Sequence, residues 1–159
     1  MARRQKVSHS RAFVEVSDQA KSIGERNDCS IRAITLVTGL PYETVLKEAT
    51  RLGRKKGAGT PPWISKRTLE NLGFNVVIWG NQDIMALINS YPSPHNRNCR
   101  FITTHHPRRF PKAWAALKEE RLIMYNFSHM LAVVDGEVHD WSVNRVLRMK
   151  TIWTVVKKP

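Results

Sequence analysis

Cysteine, acidic residues and long apolar runs are all scarce in this sequence of 159 residues. Two cysteines are too few for a disulfide framework, so we expect free thiols in a reducing cytoplasm. No apolar run approaches the roughly 18 residues that a membrane-spanning helix needs. The basic N-terminal residues are followed by no apolar stretch, so we expect no secretory signal.

The shortage of acidic residues leaves a strongly basic protein. It has 26 Lys and Arg against 13 Asp and Glu, a formal net charge of +13. Such a charge favours an acidic partner, such as nucleic acid, an acidic protein or anionic lipid. The cations are spread along the chain, and no RNA-recognition, helix-turn-helix or zinc-finger signature accompanies them. A merely solvated basic surface therefore stays open as an alternative.

The order of predicted elements indicates an α+β domain. Residues 1–20 are polar, basic and weakly periodic and predict a flexible arm, which leaves residues 21–159 as a single domain. Helices come first and antiparallel strands follow. Helices are predicted at 29–39, 41–52 and 64–72, with weaker helical signals at 83–89 and 112–120. Strands are predicted at 74–79, 100–104, 122–127, 129–134, 137–141 and 151–156.

A two-residue turn at Asp135-Gly136 joins two apolar runs and predicts a β-hairpin. In that register Val134 faces Glu137. His129 and Asp140 then lie on one face as a diagonal pair, which is within reach of long side chains. His139 points to the opposite face. The hairpin therefore favours His129 as a base and Asp140 as the group that orients it.

Cys29 lies where the first predicted helix begins, directly after Asn27 and Asp28, which are residues that cap helices. A free thiol has a pKa of about 8.5, and only the thiolate is a strong nucleophile. The positive end of a helix and a neighbouring imidazolium both favour the thiolate. The alternative is a small buried hydrophobic residue, which is what most free cysteines are.

Asn27-Asp28-Cys29 and the stretch from His129 to Asp140 together resemble the papain-like cysteine peptidases. They are similar in particular to the double-glycine leader peptidases of bacteriocin exporters and to small phage or prophage proteins with the same core. The resemblance implies a papain-like α+β fold in which the cysteine-bearing helix packs on a C-terminal antiparallel sheet. It implies Cys29 as nucleophile, His129 as general acid and base, and Asp140 as orienting group.

The chain departs from that family at two positions. Ser30 stands where the family usually has glycine, and Ile23 stands where it has the glutamine that completes the oxyanion hole. Asn27 and Gln19 are the candidates to replace that glutamine, and backbone N–H groups alone are the other option.

Two functions follow. The first is a cysteine peptidase or a related acyl-transfer hydrolase, with deamidase or transglutaminase chemistry open, acting on a protein or peptide in the cytoplasm (of a host cell, if the protein is phage-encoded). The second is an inactive papain-like protein that binds nucleic acid or an acidic host protein. We expect no cofactor and no metal. His95, Cys99 and a later histidine match no common zinc module.

Three further features receive plain expectations. We expect Trp141 in the core rather than as a shield over the contact between His129 and Asp140. The loop from Gly57 to Pro62 is either a lid over a cleft or a connector. Arg54, Lys55 and Lys56 before it form a short charge run that we expect to be solvated.

Overall fold

The computed structural model describes residues 9–80, 100–102, 121–126, 128–135, 137–141, 146–148 and 151–159. Within these residues the chain is α+β, as the sequence predicts. The helices are α1 (Arg11–Ser22), α2 (Cys29–Thr38), α3 (Tyr42–Arg51) and α4 (Pro62–Asn71). The strands are β1 (Phe74–Trp79), β2 (Arg100–Ile102), β3 (Arg121–Tyr125), β4 (Met130–Val134), β5 (Glu137–His139), β6 (Val146–Arg148) and β7 (Thr151–Lys157).

Five of these strands form one antiparallel sheet in the order β1-β7-β3-β4-β5. β7 pairs with β1 on one side and with β3 on the other, so it connects strands that are distant in sequence. β2 and β6 form a separate antiparallel pair. Sequential strands β3, β4 and β5 lie side by side, and the predicted hairpin of β4 and β5 forms one edge of the sheet.

Helix α2 packs against the sheet, and in particular against β4. Ile31, Ile34 and Val37 recur at helical spacing and are fully buried. They belong to one core cluster with Met130 and Ala132 of β4. Each such side chain contributes about 1.5–3 kcal/mol when it leaves water, so α2 is fixed firmly against β4. Within the described residues, the start of α2 is thereby set beside the start of β4.

The predicted arm over residues 1–20 is wrong from residue 11 onward, because residues 11–22 form α1. Ser10 caps this helix by accepting a hydrogen bond from the backbone N–H of Phe13. Phe13, Val16 and Ala20 recur at three- and four-residue spacing and are buried. A sparse apolar face was therefore enough to fold the segment onto the domain. Residues 1–8 lie outside the described part.

The other predicted elements agree with the structure to within a few residues wherever it describes them. Gly39 ends α2 with a φ of 72°, the left-handed conformation that glycine adopts without cost. Strand β6 has no counterpart among the predictions. The helical signals at 83–89 and 112–120 lie outside the described residues. No helix in the described part of the chain is long and apolar enough to cross a membrane.

Candidate active site

Cys29 is the first residue of α2, directly after the cap residue Asp28. The Asp28 carboxylate forms no capping bond; its Oδ2 atom instead accepts hydrogen bonds from the Tyr42 hydroxyl at 2.7 Å and from Nε of Arg32 at 3.0 Å. Burial raises the pKa of Asp28, but these two donors outweigh it and the pKa is lowered. A buried, ionised aspartate thus anchors the start of the helix, and the N–H groups of the first turn keep no intrahelical partner.

The hairpin has the predicted register. Val134 pairs with Glu137 and Ala132 with His139, and Asp135 has the positive φ of 53° that the turn requires. His129 and Asp140 meet, with 2.7 Å between Nε2 and Oδ2. The Nδ1 atom of His139 is 2.6 Å from Oγ of Ser10, although His139 lines the same cleft as His129 and Asp140.

A short loop fixes His129 just before β4. The side-chain oxygen of Asn126 accepts hydrogen bonds from the backbone N–H groups of Ser128, at 3.0 Å, and of His129, at 2.8 Å. The backbone N–H of Asn126 donates to the carbonyl of His129 at 3.0 Å. Asn126 therefore closes the loop in the way that asparagine closes turns, and it sets the position of the imidazole relative to α2.

Cys29 and His129 line the same cleft, and each shifts the pKa of the other. Burial raises the pKa of the Cys29 thiol, but the hydrogen bond to His129, the backbone of Met130, the charge of His129 and the Ser30 side chain together bring it below its ordinary value. Burial lowers the pKa of His129, yet the hydrogen bonds and charges of Asp140 and Cys29 outweigh it and raise that pKa to about 9. Both shifts act in the direction that favours a thiolate and an imidazolium over a neutral thiol and imidazole.

The pair opens into a cleft of about 650 Å³. Its lining combines the first turn of α2, the hairpin and the loop before α4, including Gly59, Thr60, Pro61 and Tyr125. This volume lies within the range of about 300–1,000 Å³ that ligand-binding clefts occupy. The thiol is thus accessible from a space that can hold part of a substrate.

The loop before α4 is a wall of the cleft, tied to the segment that precedes Cys29. Arg54 and Glu25 form an ion pair at 2.9 Å, with side chains 0% and 4% exposed. The side-chain amide of Asn27 donates to the Gly57 carbonyl at 2.8 Å. The expectation that Arg54 is solvated is therefore wrong, because its partner lies 29 residues earlier in the chain.

Trp141 is 47% exposed, so its predicted place in the core is wrong. Its ring lies against the His129 imidazole, with centroids 5.2 Å apart and planes at 53°. It thereby covers one side of His129 where the imidazole meets Asp140. The alternative that the sequence left in second place, a shield over this contact, matches the position of the ring.

The two side chains proposed for an oxyanion hole differ in position. Asn27 lines the cleft, although one of its amide N–H groups is engaged by Gly57. Gln19 is exposed on α1 and is absent from the cleft lining. The backbone N–H groups of the first turn of α2, which begins at Cys29 itself, have no intrahelical acceptor, and such groups stabilise oxyanions in acyl-transfer sites.

No group of three or more His, Cys, Asp or Glu side chains suited to a metal occurs among the described residues. His95, Cys99 and the histidines after them lie outside those residues. No family model matches the sequence, and no curated protein and no solved structure is significantly similar to it. The assignment of a function to the site therefore depends on its own geometry.

Proposed function

We propose that this protein is a papain-like thiol hydrolase in which Cys29 is the nucleophile, His129 the general acid and base, and Asp140 the orienting group. One observation carries the proposal: Cys29, His129 and Asp140 line one cleft, and Nε2 of His129 lies 2.7 Å from the buried Asp140 carboxylate. In keeping with this arrangement, the pKa of Cys29 is lowered and that of His129 is raised to about 9. Perturbed pKa values in a cleft are typical of catalytic groups.

The reaction follows from these positions. The Cys29 thiolate attacks the carbonyl carbon of an amide, and the N–H groups of the first turn of α2 receive the resulting oxyanion. When the tetrahedral intermediate collapses, the C–N bond breaks and His129 gives its proton to the leaving amine. A thioester on Cys29 remains. His129 then takes a proton from water, which attacks the thioester, and the carboxylic acid leaves as the thiolate and imidazolium are restored.

The molecule that attacks the Cys29 thioester in the second half of the reaction determines the kind of enzyme. Water gives a peptidase or, when the leaving group is ammonia, a deamidase, and an amine gives a transferase. We propose a peptidase acting on a protein or peptide, because the cleft is open and about 650 Å³ in volume. The proposal requires a reducing compartment such as the cytoplasm, in which the Cys29 thiol stays free.

The test is the pH dependence of iodoacetamide alkylation in a Cys99→Ser background, where Cys29 is the only thiol. We expect fast modification already at pH values well below the ordinary thiol pKa of about 8.5. His129→Ala should shift the profile to the ordinary range, and the control His9→Gln, at an exposed histidine outside the cleft lining, should leave it in place. A wild-type profile centred near the ordinary value and unchanged by His129→Ala would reject the proposal.

The second candidate is an inactive papain-like protein that binds nucleic acid or an acidic protein. The net charge of +13 and the presence of Ile23 at the oxyanion position favour it. Binding to phosphates should weaken steeply as salt is raised. If the protein is an inactive binder, Cys29→Ala should leave its binding unchanged, whereas a hydrolase should lose all turnover with the same substitution.

A further inference from the structure

Three exposed cations lie beside the cleft on two chain segments that contact each other. They are Arg26, Lys55 and Lys56. The Lys56 side chain lies over Gly24, with its Nζ atom 3.7 Å from where a Cβ would stand on that glycine. The Arg26 side chain lies over Gly57 in the same way, with Nε 3.2 Å from the corresponding point. We call these three residues the basic rim.

The basic rim has no local counter-charge. The segments 21–28 and 54–60 contain two carboxylates, Glu25 and Asp28. Glu25 is buried against Arg54, and Asp28 is buried against Arg32. Within the described part of the chain, no carboxylate lies within ion-pair distance of a basic-rim nitrogen. The field of these charges is therefore directed outward, and it is available to a ligand.

The rim is continuous with the proposed catalytic site. Arg26 precedes Cys29 by three residues, so their Cα atoms are at most about 11 Å apart, three peptide units of 3.8 Å each. Asn27 and Gly59, which adjoin Arg26 and the turn at Gly57, both line the cleft. An extended peptide covers that span with about three or four residues.

We propose that the basic rim is a substrate-docking surface for an acidic peptide segment a few residues from the bond that Cys29 attacks. This inference rests on the proposed function and specifies its substrate class. A peptide is favoured over nucleic acid because the rim is a compact cluster at the end of a cleft, whereas a nucleic-acid backbone carries closely and regularly spaced charges that need a longer track of cations.

The test uses chloroacetyl peptides, whose chloride is displaced by the Cys29 thiolate to form a thioether. One probe carries a short run of glutamates behind a serine spacer, and its partner carries glutamines in the same places. Rates are measured by mass spectrometry in the Cys99→Ser background, for the parent and for Lys55→Gln/Lys56→Gln. Lys47→Gln/Lys157→Gln, which removes two exposed cations elsewhere, is the matched control. Iodoacetamide, which has no docking segment, reports the reactivity of the thiol alone.

At low salt the glutamate probe should react about tenfold faster than the glutamine probe, the lower end of electrostatic acceleration. The advantage should fall to about twofold or less in Lys55→Gln/Lys56→Gln and in about 0.5 M salt, where charges are screened within a few ångströms. The control variant should keep it, and iodoacetamide rates should be equal in all three proteins. Equal rates for the two probes, or an advantage that survives loss of Lys55 and Lys56, would overturn the docking proposal.

Failure of the docking proposal is distinguishable from failure of the proposed function. If iodoacetamide shows that Cys29 reacts as an ordinary thiol, the hydrolase proposal fails. Docking is still tested by fluorescence anisotropy, with a glutamate peptide that lacks the chloroacetyl group. A single-stranded DNA of equal charge is measured beside it. Tighter binding of the DNA, lost in Lys55→Gln/Lys56→Gln, would assign the rim to nucleic acid and overturn the peptide proposal.

Discussion

Glu25 and Arg54 form an ion pair of 2.9 Å whose side chains are 4% and 0% exposed, and this pair fastens a wall of the cleft to the segment before Cys29. Arg54 also donates through Nε to the hydroxyl of Thr60, which itself lines the cleft. Glu25 accepts a further hydrogen bond from the backbone N–H of Gly57. One buried pair thus sets the distance between the loop and the start of α2.

Glu25→Gln should lower the free energy of unfolding by about 3–5 kcal/mol, because it leaves the Arg54 guanidinium buried without its counter-charge. Urea unfolding followed by circular dichroism measures the change. Glu15→Gln, which breaks the exposed pair with Arg11, is the control and should cost less than about 1 kcal/mol. The double variant Glu25→Gln/Arg54→Met should recover much of the loss. Equal effects of Glu25→Gln and Glu15→Gln would contradict the role given to the pair.

Asp140→Asn should weaken the thiolate–imidazolium pair. The pKa of His129 should fall from about 9 and that of Cys29 should rise, because the asparagine supplies no negative charge to hold the imidazolium. The ultraviolet absorbance of the thiolate, followed against pH, reports both changes. Asp135→Asn in the turn of the same hairpin is the control, since asparagine tolerates the positive φ found there. A thiolate titration that is the same in both variants would show that Asp140 does not act on the pair.

His129 should also make stability depend on pH. Its pKa is 6.5 when unperturbed and about 9 in the folded protein, so its stabilising contribution is fully present below about pH 6.5 and is lost as pH rises through about 9. At 12% exposure the side chain is little screened, and the contribution is on the order of 3 kcal/mol. The difference in unfolding free energy between wild type and His129→Gln should therefore shrink across this window. A difference that is constant from pH 6 to pH 10 would contradict the raised pKa.

Trp141→Ala should move the pKa of His129 toward 6.5, because water then reaches the contact between the imidazole and Asp140 and screens it. Proton NMR of the histidine ring against pH measures the shift. Trp63, exposed to 62% on α4, gives the matched variant Trp63→Ala, which should leave the titration unchanged. If Trp141→Ala leaves it unchanged too, the indole is only a surface contact.

Short-range sequence patterns predicted the parts of the site whose structure depends on residues that are close together in the sequence. The hairpin register follows from a two-residue turn and alternating burial, so the meeting of His129 and Asp140 was predictable from the sequence. The start of α2 at Cys29 was predictable from its helical apolar face and from Asn27 and Asp28 before it, although the Asp28 side chain forms no capping bond. In both cases the signal and its structural consequence lie within about a dozen residues.

The missed features depend on partners that are distant in sequence. Arg54 belongs to a run that is typical of a solvated loop, and only Glu25, 29 residues earlier, makes it a buried ion. Helix α1 has few apolar residues on one face, and these stabilise the helix only when they pack against the rest of the core. Trp141 is the exception: its ring lies against His129, only 12 residues earlier in the chain, and no periodicity in the sequence encodes that contact.

The order of the strands along the chain also determines when, during synthesis, Cys29 acquires the neighbours that lower its pKa. Cys29 is synthesised early, but His129 follows a hundred residues later, and β7, which joins β1 to β3, comes later still. At about 5–20 residues per second, a growing chain carries an ordinary, unactivated cysteine for roughly 5–20 seconds. Until His129 and Met130 are in place, Cys29 lacks the main neighbours that lower its pKa. The long sequence separation between Cys29 and His129, which slows folding, thus also delays the lowering of the Cys29 pKa.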